Sequence, residues 1–273
     1  MSTLIDSTST DGASTDSNPD VVVSFDGPVA TVEICRPPHN FFSIPLIQHL
    51  ADAFEALEAD RRCHSIVLAA QGTAFCAGAD FSNRDATPPQ RSPRAINPLY
   101  FEAIRMFSCR KPVVAAVQGS AVGGGLGLAL VADFRVTCAE AKFSANFNRL
   151  GFHPGFGLSV TLPRLVGPQQ AALLLYTGRR IGGAEAVALG LADLLVAQDQ
   201  VRAEAAKLAR EIATSAPIAV QSTRDTLRTG LVEQIRSALA RESAEQNAQF
   251  KTADFREGVA AMAARREPRF TGE

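Results

Sequence analysis

A chain of 273 residues with 46% apolar and 20% charged content has enough apolar mass for a large buried core, in one domain with or without an appendage. Its formal net charge of −1 supplies no general basic field, which argues against nucleic acid or an anionic membrane surface as a partner, and no apolar run reaches the roughly 18 residues that would span a bilayer. The five cysteines, Cys35, Cys63, Cys76, Cys109 and Cys138, sit in apolar segments without C-x-x-C spacing, as reduced cytoplasmic thiols do, and do not suggest a disulfide scaffold or a zinc site.

Residues 1–20 are rich in Ser, Thr and Asp, a composition that predicts a disordered tail, and they lack the basic and apolar regions of a signal peptide. Order is expected from residue 21. Residues 21–25 and 30–35 read as strands joined at Asp26-Gly27. After a turn at 36–40, Pro45 suits the first turn of a helix to about residue 59, with Leu46, Leu50, Phe54 and Leu57 on one face. A strand at 66–70 runs into G-T-A-F-C-A-G-A-D-F (72–81). The polar, proline-rich stretch 82–98 is expected to be a loop beside a site. A helix over 99–109 and a strand over 113–117 lead to G-S-A-V-G-G-G-L-G-L-A-L (119–130), a buried helix to about residue 132 and a strand at 134–138.

Residues 142–157 read as a glycine-rich loop that closes a pocket. Helices follow at 158–165, 168–175 and 183–188, then a short strand at 193–196 and long helical stretches over 201–250 and 257–265. Strand and helix alternate in the first half, giving an α/β class. The chain thus divides into a tail (1–20), a core carrying the site (21–200) and a helical region (201–273), whose apolar face needs its own small core or a neighbouring subunit.

The two glycine-rich turns carry the chemistry. Each puts glycines where a strand gives way to loop or helix, and glycine lets another backbone or a ligand come close. Two such turns can aim backbone N–H groups at one point, which is what stabilising an oxyanion such as a thioester enolate requires. The alternative for Gly123, Gly124 and Gly125 is tight helix–sheet packing. Neither a dinucleotide fingerprint nor a P-loop occurs in its proper context.

With both turns placed, the chain resembles the crotonase superfamily, the enoyl-CoA hydratase/isomerase family. The resemblance rests on Arg36-Pro37 to Asn40, A-F-C-A-G-A-D-F (74–81), K-P-V-V-A-A-V-Q-G-S-A-V-G-G-G (111–125), L-P-R-L-V-G (162–167), T-G-R-R-I (177–181) and R-E-P-R-F-T-G (266–272), and it covers almost everything after residue 20. It implies a spiral of ββα turns capped by a helical C-terminal region that builds trimers, often paired into hexamers. It also implies an acyl-CoA substrate whose thioester oxygen is held by two backbone N–H groups, at the positions of Ala79 and Gly124. Coenzyme A, as part of the substrate and not a separate cofactor, is implied along the turn of Arg36, Pro37 and Asn40, with its adenine near Ala77 and Asp80. Asp80 can equally cap its own loop. No metal is implied.

The chain departs from the family where proton transfer is concerned. Family hydratases carry a glutamate two residues after the glycine triplet and a second about 20 residues later; here those positions are Gly127 and Phe147. The aspartate that some isomerases and dehalogenases use aligns with Gly155. Two-glutamate hydratase chemistry is therefore not expected. The nearest titratable candidate is His153, whose ordinary pKa suits proton transfer near neutrality; the alternative is that it only hydrogen-bonds within its loop. Phe147, with Phe41 and Phe42, points to an apolar acyl pocket or simply to core. Tyr100, Arg84, Arg91 and Arg94 can reach the acyl end or belong to solvated loop. The expected protein is a cytoplasmic, homo-oligomeric acyl-CoA lyase, isomerase or hydrolase, with a non-catalytic acyl-CoA binder as the alternative.

Overall fold

The computed structural model describes residues 20–80 and 96–273. The N-terminal tail and most of the 82–98 loop, with Arg84, Arg91 and Arg94, lie outside the described residues.

Strands β1 (Val21–Asp26) and β2 (Val29–Ile34) form the antiparallel pair expected around Gly27, whose φ of 56° suits a tight turn. Helix α1 (Ile44–Ala59) starts where Ser43 accepts the Leu46 N–H, with Pro45 in the first turn; a capping hydroxyl and a proline are what a helix start favours. Its Leu46, Leu50, Phe54 and Leu57 are buried together. Strand β3 (Ser65–Ala70), helix α2 (Pro98–Ser108) and strand β4 (Val113–Val117) follow. Every residue of β3 and β4 is buried, which explains the run of Val, Ile, Leu and Ala that fills them apart from Ser65 at the start of β3.

From here the chain alternates between two sheets. Strand β5 (Ser120–Val122), helix α3 (Gly124–Ala129), strand β6 (Phe134–Thr137), strand β7 (Lys142–Ser144) and a 3-10 turn at Asn148–Leu150 lead to helix α4 (Leu158–Thr177). Strand β8 (Ile181–Gly182), helix α5 (Gly183–Ala188) and strand β9 (Leu194–Leu195) complete the core. The large sheet has the order β1-β2-β3-β4-β6-β9, parallel from β2 onward, and the small sheet the order β5-β7-β8. Single bridges pairing Cys76 with Ala121 and Phe42 with Ala79 carry the same alternation into the earlier turns. The chain therefore winds as a spiral whose corners hold the glycine motifs.

Three expectations need correcting. Residues 142–157 are not all loop, since β7 lies within them; three residues are too few to show a strand period. Helix α3 ends at Ala129, short of residue 132. The 201–250 stretch is three helices, α6 (Val201–Ala213), α7 (Pro217–Leu227) and α8 (Leu231–Gln249), broken before Pro217 and at Gly230, whose φ is 76°. Helix α9 (Ala253–Ala263) follows. Helix α6 lies against β3, β4 and β6, α8 against α2 and α4, and α9 against the 3-10 turn. The apolar stripe Val201, Ala205 and Ala209 of α6 is thus covered by the large sheet.

Candidate active site

Two turns are fastened edge to edge. Asn40, fully buried with φ of 50°, accepts the Arg36 N–H at 3.0 Å through Oδ1 and donates through Nδ2 to the carbonyls of Gln71 (2.7 Å) and Ala74 (2.8 Å). The Ala77 N–H donates to the His39 carbonyl at 2.9 Å. Asn40 spends its side chain on building the turn, so what it offers a ligand is the position of its neighbours. Arg36 donates to Ser43 Oγ at 3.1 Å, Pro37 and His39 are exposed, and Ala77 and Asp80 are half-buried alongside.

The next pair of turns presents two peptide groups. Gly78 has φ of 84°, and a Cβ there would stand 2.7 Å from the Val122 carbonyl and 3.7 Å from the Gly124 nitrogen. Only glycine fits this approach. The Gly78 carbonyl accepts the Phe42 N–H at 3.0 Å. Across a planar trans peptide the carbonyl and the following N–H point opposite ways, so the Ala79 N–H is aimed away from Phe42. The Gly123 carbonyl likewise accepts from Leu126 (3.1 Å) and Gly127 (3.2 Å) inside α3, and the Gly124 N–H is therefore aimed out of the helix start.

The glycine triplet has divided duties. Gly123, with φ of 57°, makes the turn; a Cβ on Gly124 would meet the Phe42 ring at 2.2 Å; one on Gly125 would meet the Cys76 carbonyl at 2.0 Å. Tight packing is thus real at Gly125 and sits beside the presented Gly124 N–H. Cys76 is fully buried, and burial pushes its thiol up to about 12, far from the thiolate that reactivity needs.

Aromatic side chains occupy the positions where acids were sought. A Cβ on Gly127 would lie 2.6 Å from Phe156 Cβ. The Phe156 ring meets those of Phe42 (centroids 6.0 Å) and Phe107 (6.4 Å). Phe147 is buried, packs edge-on to Phe152 at 5.4 Å, and comes within 3.8 Å of a Cβ placed on Gly123. At Gly155 a Cβ would stand 2.0 Å from Tyr100 Oη and 2.5 Å from Gln246 Nε2.

His153 is half-buried. Its Nδ1 lies 2.7 Å from its neighbour's carbonyl at Pro154, its N–H donates to Gln249 Oε1 at 2.6 Å, and its carbonyl accepts from Gln246 Nε2 at 2.9 Å. These contacts tie it to its own loop and to α8. Sequence reasoning missed Glu242, a fully buried carboxylate that accepts from the N–H groups of Gly157 (2.9 Å) and Ser159 (3.2 Å) and from Ser159 Oγ (2.6 Å). Burial pushes its carboxyl up, against the opposing pull of those donors and of His153. The available signal was a polar stripe, Glu242, Ser243 and Gln246, on the buried face of a helix. Among the described residues no group of three or more His, Cys, Asp and Glu is placed to hold a metal ion, and no helix is long and apolar enough to cross a membrane.

A family model for enoyl-CoA hydratase/isomerase matches residues 24–273. The chain belongs to the enoyl-CoA hydratase/isomerase family. Its relatives include crotonyl-CoA hydratase of Syntrophomonas wolfei, 32% identical over 254 residues that cover 92% of this chain and 97% of that one. Another is the 1,2-epoxyphenylacetyl-CoA isomerase of Escherichia coli, 31% identical over 253 residues covering 90% and 95%. The crystal structure of an enoyl-CoA hydratase/isomerase from Pseudoalteromonas atlantica T6c superposes with a TM-score of 0.84 at 30% identity, covering 93% of this chain and all of that one. The two-sheet spiral with its helical C-terminal region is the crotonase fold of this enoyl-CoA hydratase/isomerase family. Relatives at similar distance carry hydratase and isomerase names, so membership gives an acyl-CoA enzyme family and leaves the reaction to the site.

Proposed function

We propose that this family member holds an acyl-CoA thioester oxygen between the N–H groups of Ala79 and Gly124, stabilises the resulting enolate, and works without a two-glutamate pair. One observation carries the reading. Each peptide has its carbonyl tied back into the fold, which directs its N–H outward, and the approach of Gly78 brings the two peptides together. Donors fixed in advance need no reorganisation as charge develops, and loss of one such donor typically costs about 10²–10³ in kcat.

In this reading coenzyme A runs along Arg36, Pro37 and the turn that Asn40 braces, its adenine lies near Ala77 and Asp80, and the acyl chain meets Phe42, Phe147 and Phe156. The reaction is a lyase, isomerase or hydrolase step on the enolate, with His153 as the proton-transfer group to be tested. The working form is a homotrimer or hexamer in the cytoplasm, where the five buried free thiols suit a reducing environment. A second reading, a non-catalytic acyl-CoA binder, draws on the aromatic filling of all three acid positions.

Mass spectrometry after incubation with enoyl-, β-keto-, malonyl-type and cyclic acyl-CoA thioesters separates the two. A mass change, by gain of water, loss of carbon dioxide or chain cleavage, is the expected outcome, and its loss in His153→Ala assigns the proton transfer to His153. Turnover that survives His153→Ala removes that role. Tight binding with every mass unchanged favours the binder, and no binding at all overturns the acyl-CoA site.

A further inference from the structure

We propose that Phe42 is the positioning residue of the oxyanion site: its ring and its own peptide fix the Ala79 and Gly124 N–H groups relative to each other. The inference rests on the acyl-CoA reading above and adds the residue that sets the spacing of the two donors.

Phe42 touches both donor peptides. Its N–H donates to the Gly78 carbonyl at 3.0 Å, and it forms a parallel bridge with Ala79, so the peptide that carries the Ala79 N–H is tied to Phe42 through its carbonyl. Its ring lies on the other donor residue: Cε1 and Cζ each stand 2.2 Å from where a Cβ on Gly124 would be. Successive glycines have the freest backbone a chain can offer, and α3 begins with no side-chain cap. The direction of the Gly124 N–H therefore depends on what packs against the triplet. Gly125 is held by the Cys76 carbonyl, 2.0 Å from its Cβ position, and Gly124 by the Phe42 ring.

A residue can align two others only if it is itself held. Phe42 lies between the turn that the buried Asn40 braces and Ser43, whose Oγ accepts from the Leu46 N–H at the start of α1 and from Arg36. Its ring is backed by that of Phe156, at 6.0 Å between centroids. Phe156 has φ of 61°, a left-handed backbone that residues other than glycine adopt at a cost and keep only where the surroundings enforce it. Here the next N–H, that of Gly157, is bonded to the buried Glu242 at 2.9 Å. A Phe42 that only lined the acyl pocket makes a different prediction, since it would contribute equally to any ligand with the same chain, with or without a carbonyl.

The test compares two ligands that differ only in the group the donors meet: hexanoyl-CoA and S-hexyl-CoA, the thioether in which a methylene replaces the carbonyl. Equilibrium dissociation constants of the full-length protein are expected to favour the thioester about tenfold, the scale of a single hydrogen bond. The Phe42→Leu side chain ends at Cδ and leaves the Cε1 and Cζ positions empty, and that preference falls there by about threefold or more. In Phe42→Ala it falls to near one. Pocket lining alone predicts that both ligands weaken together and that their ratio stays where it was. Any smaller fall in Phe42→Leu overturns the proposal, whatever Phe42→Ala does to the fold. Two other results reach further back: a wild-type protein that binds both ligands alike overturns the oxyanion reading, and one that binds neither overturns the acyl-CoA site. Either takes this proposal with it.

Discussion

A carboxylate cannot be restored at position 127 by a single substitution, because Phe156 already stands where its Cβ would go, at 2.6 Å. Gly127→Glu must push a buried phenyl aside and also bury a charge among apolar atoms. A loss of at least about 3 kcal/mol is expected. Phe156→Ala alone also destabilises by leaving a cavity, on the order of 3 kcal/mol or more. Combined, the two should cost less than the sum of the singles, by about 1 kcal/mol or more, because the second relieves the clash of the first. Thermal or denaturant unfolding of the three variants measures this, and strict additivity would show that position 127 and Phe156 do not compete for space. The glycines and missing acids were legible in the sequence because they are departures within a motif. What fills the acid positions was not: Phe156 meets Gly127, and Tyr100 meets Gly155, across stretches of chain that no local pattern connects.

At the scale of elements, the start of α4 depends on a residue from another helix. Gly157 precedes α4 with no side-chain cap of its own, and an uncapped helix start leaves N–H groups needing acceptors. Glu242 of α8 supplies them at Gly157 and Ser159. Because burial raises its carboxyl above the ordinary range, the folded state holds that proton more tightly than the unfolded chain. Between the unfolded value and the raised folded one, the folded protein binds more protons, so stability from this group is greatest at low pH and falls as pH rises through the window. Glu242→Gln removes the titration while keeping an acceptor. Its stability relative to wild type should therefore climb as pH rises above the ordinary glutamate value of about 4.3, read from denaturant unfolding at several pH values; parallel curves would mean that Glu242 ionises as freely folded as unfolded. Helices with strong spacing, such as α1, were readable from sequence, and so were the buried strands β3 and β4. A cap delivered from 85 positions away leaves only a buried polar stripe on α8 as its trace.

For the whole molecule, the question is what the C-terminal helices are attached to. Periodicity shows that a helix has an apolar face but not what that face meets, which is why residues 201–273 read as needing a core or a neighbour of their own. In the structure α6 packs against the large sheet, and α9 lies against the 3-10 turn of the loop that carries Phe147 and His153. A Cβ on Gly151 would come within 2.6 Å of the Asp254 carbonyl, and one on Gly258 within 2.6 Å of the Leu150 carbonyl, so the two backbones are in direct contact. Rings extend the joint: Phe152 meets Phe147 at 5.4 Å, Phe250 at 5.1 Å and Phe255 at 5.7 Å, and Phe250 meets Phe255 at 4.9 Å. Phe255→Ala should then cost about 3–5 kcal/mol, and its local effect should reach the site. Hydrogen exchange followed by mass spectrometry is expected to show faster exchange across residues 147–157 while β3 and β4 keep their protection, since local opening is set by the contacts that hold each unit. Exchange confined to α9, with 147–157 as slow as in wild type, would mean that the loop is held by the core alone and that the tail leans on it without supporting it.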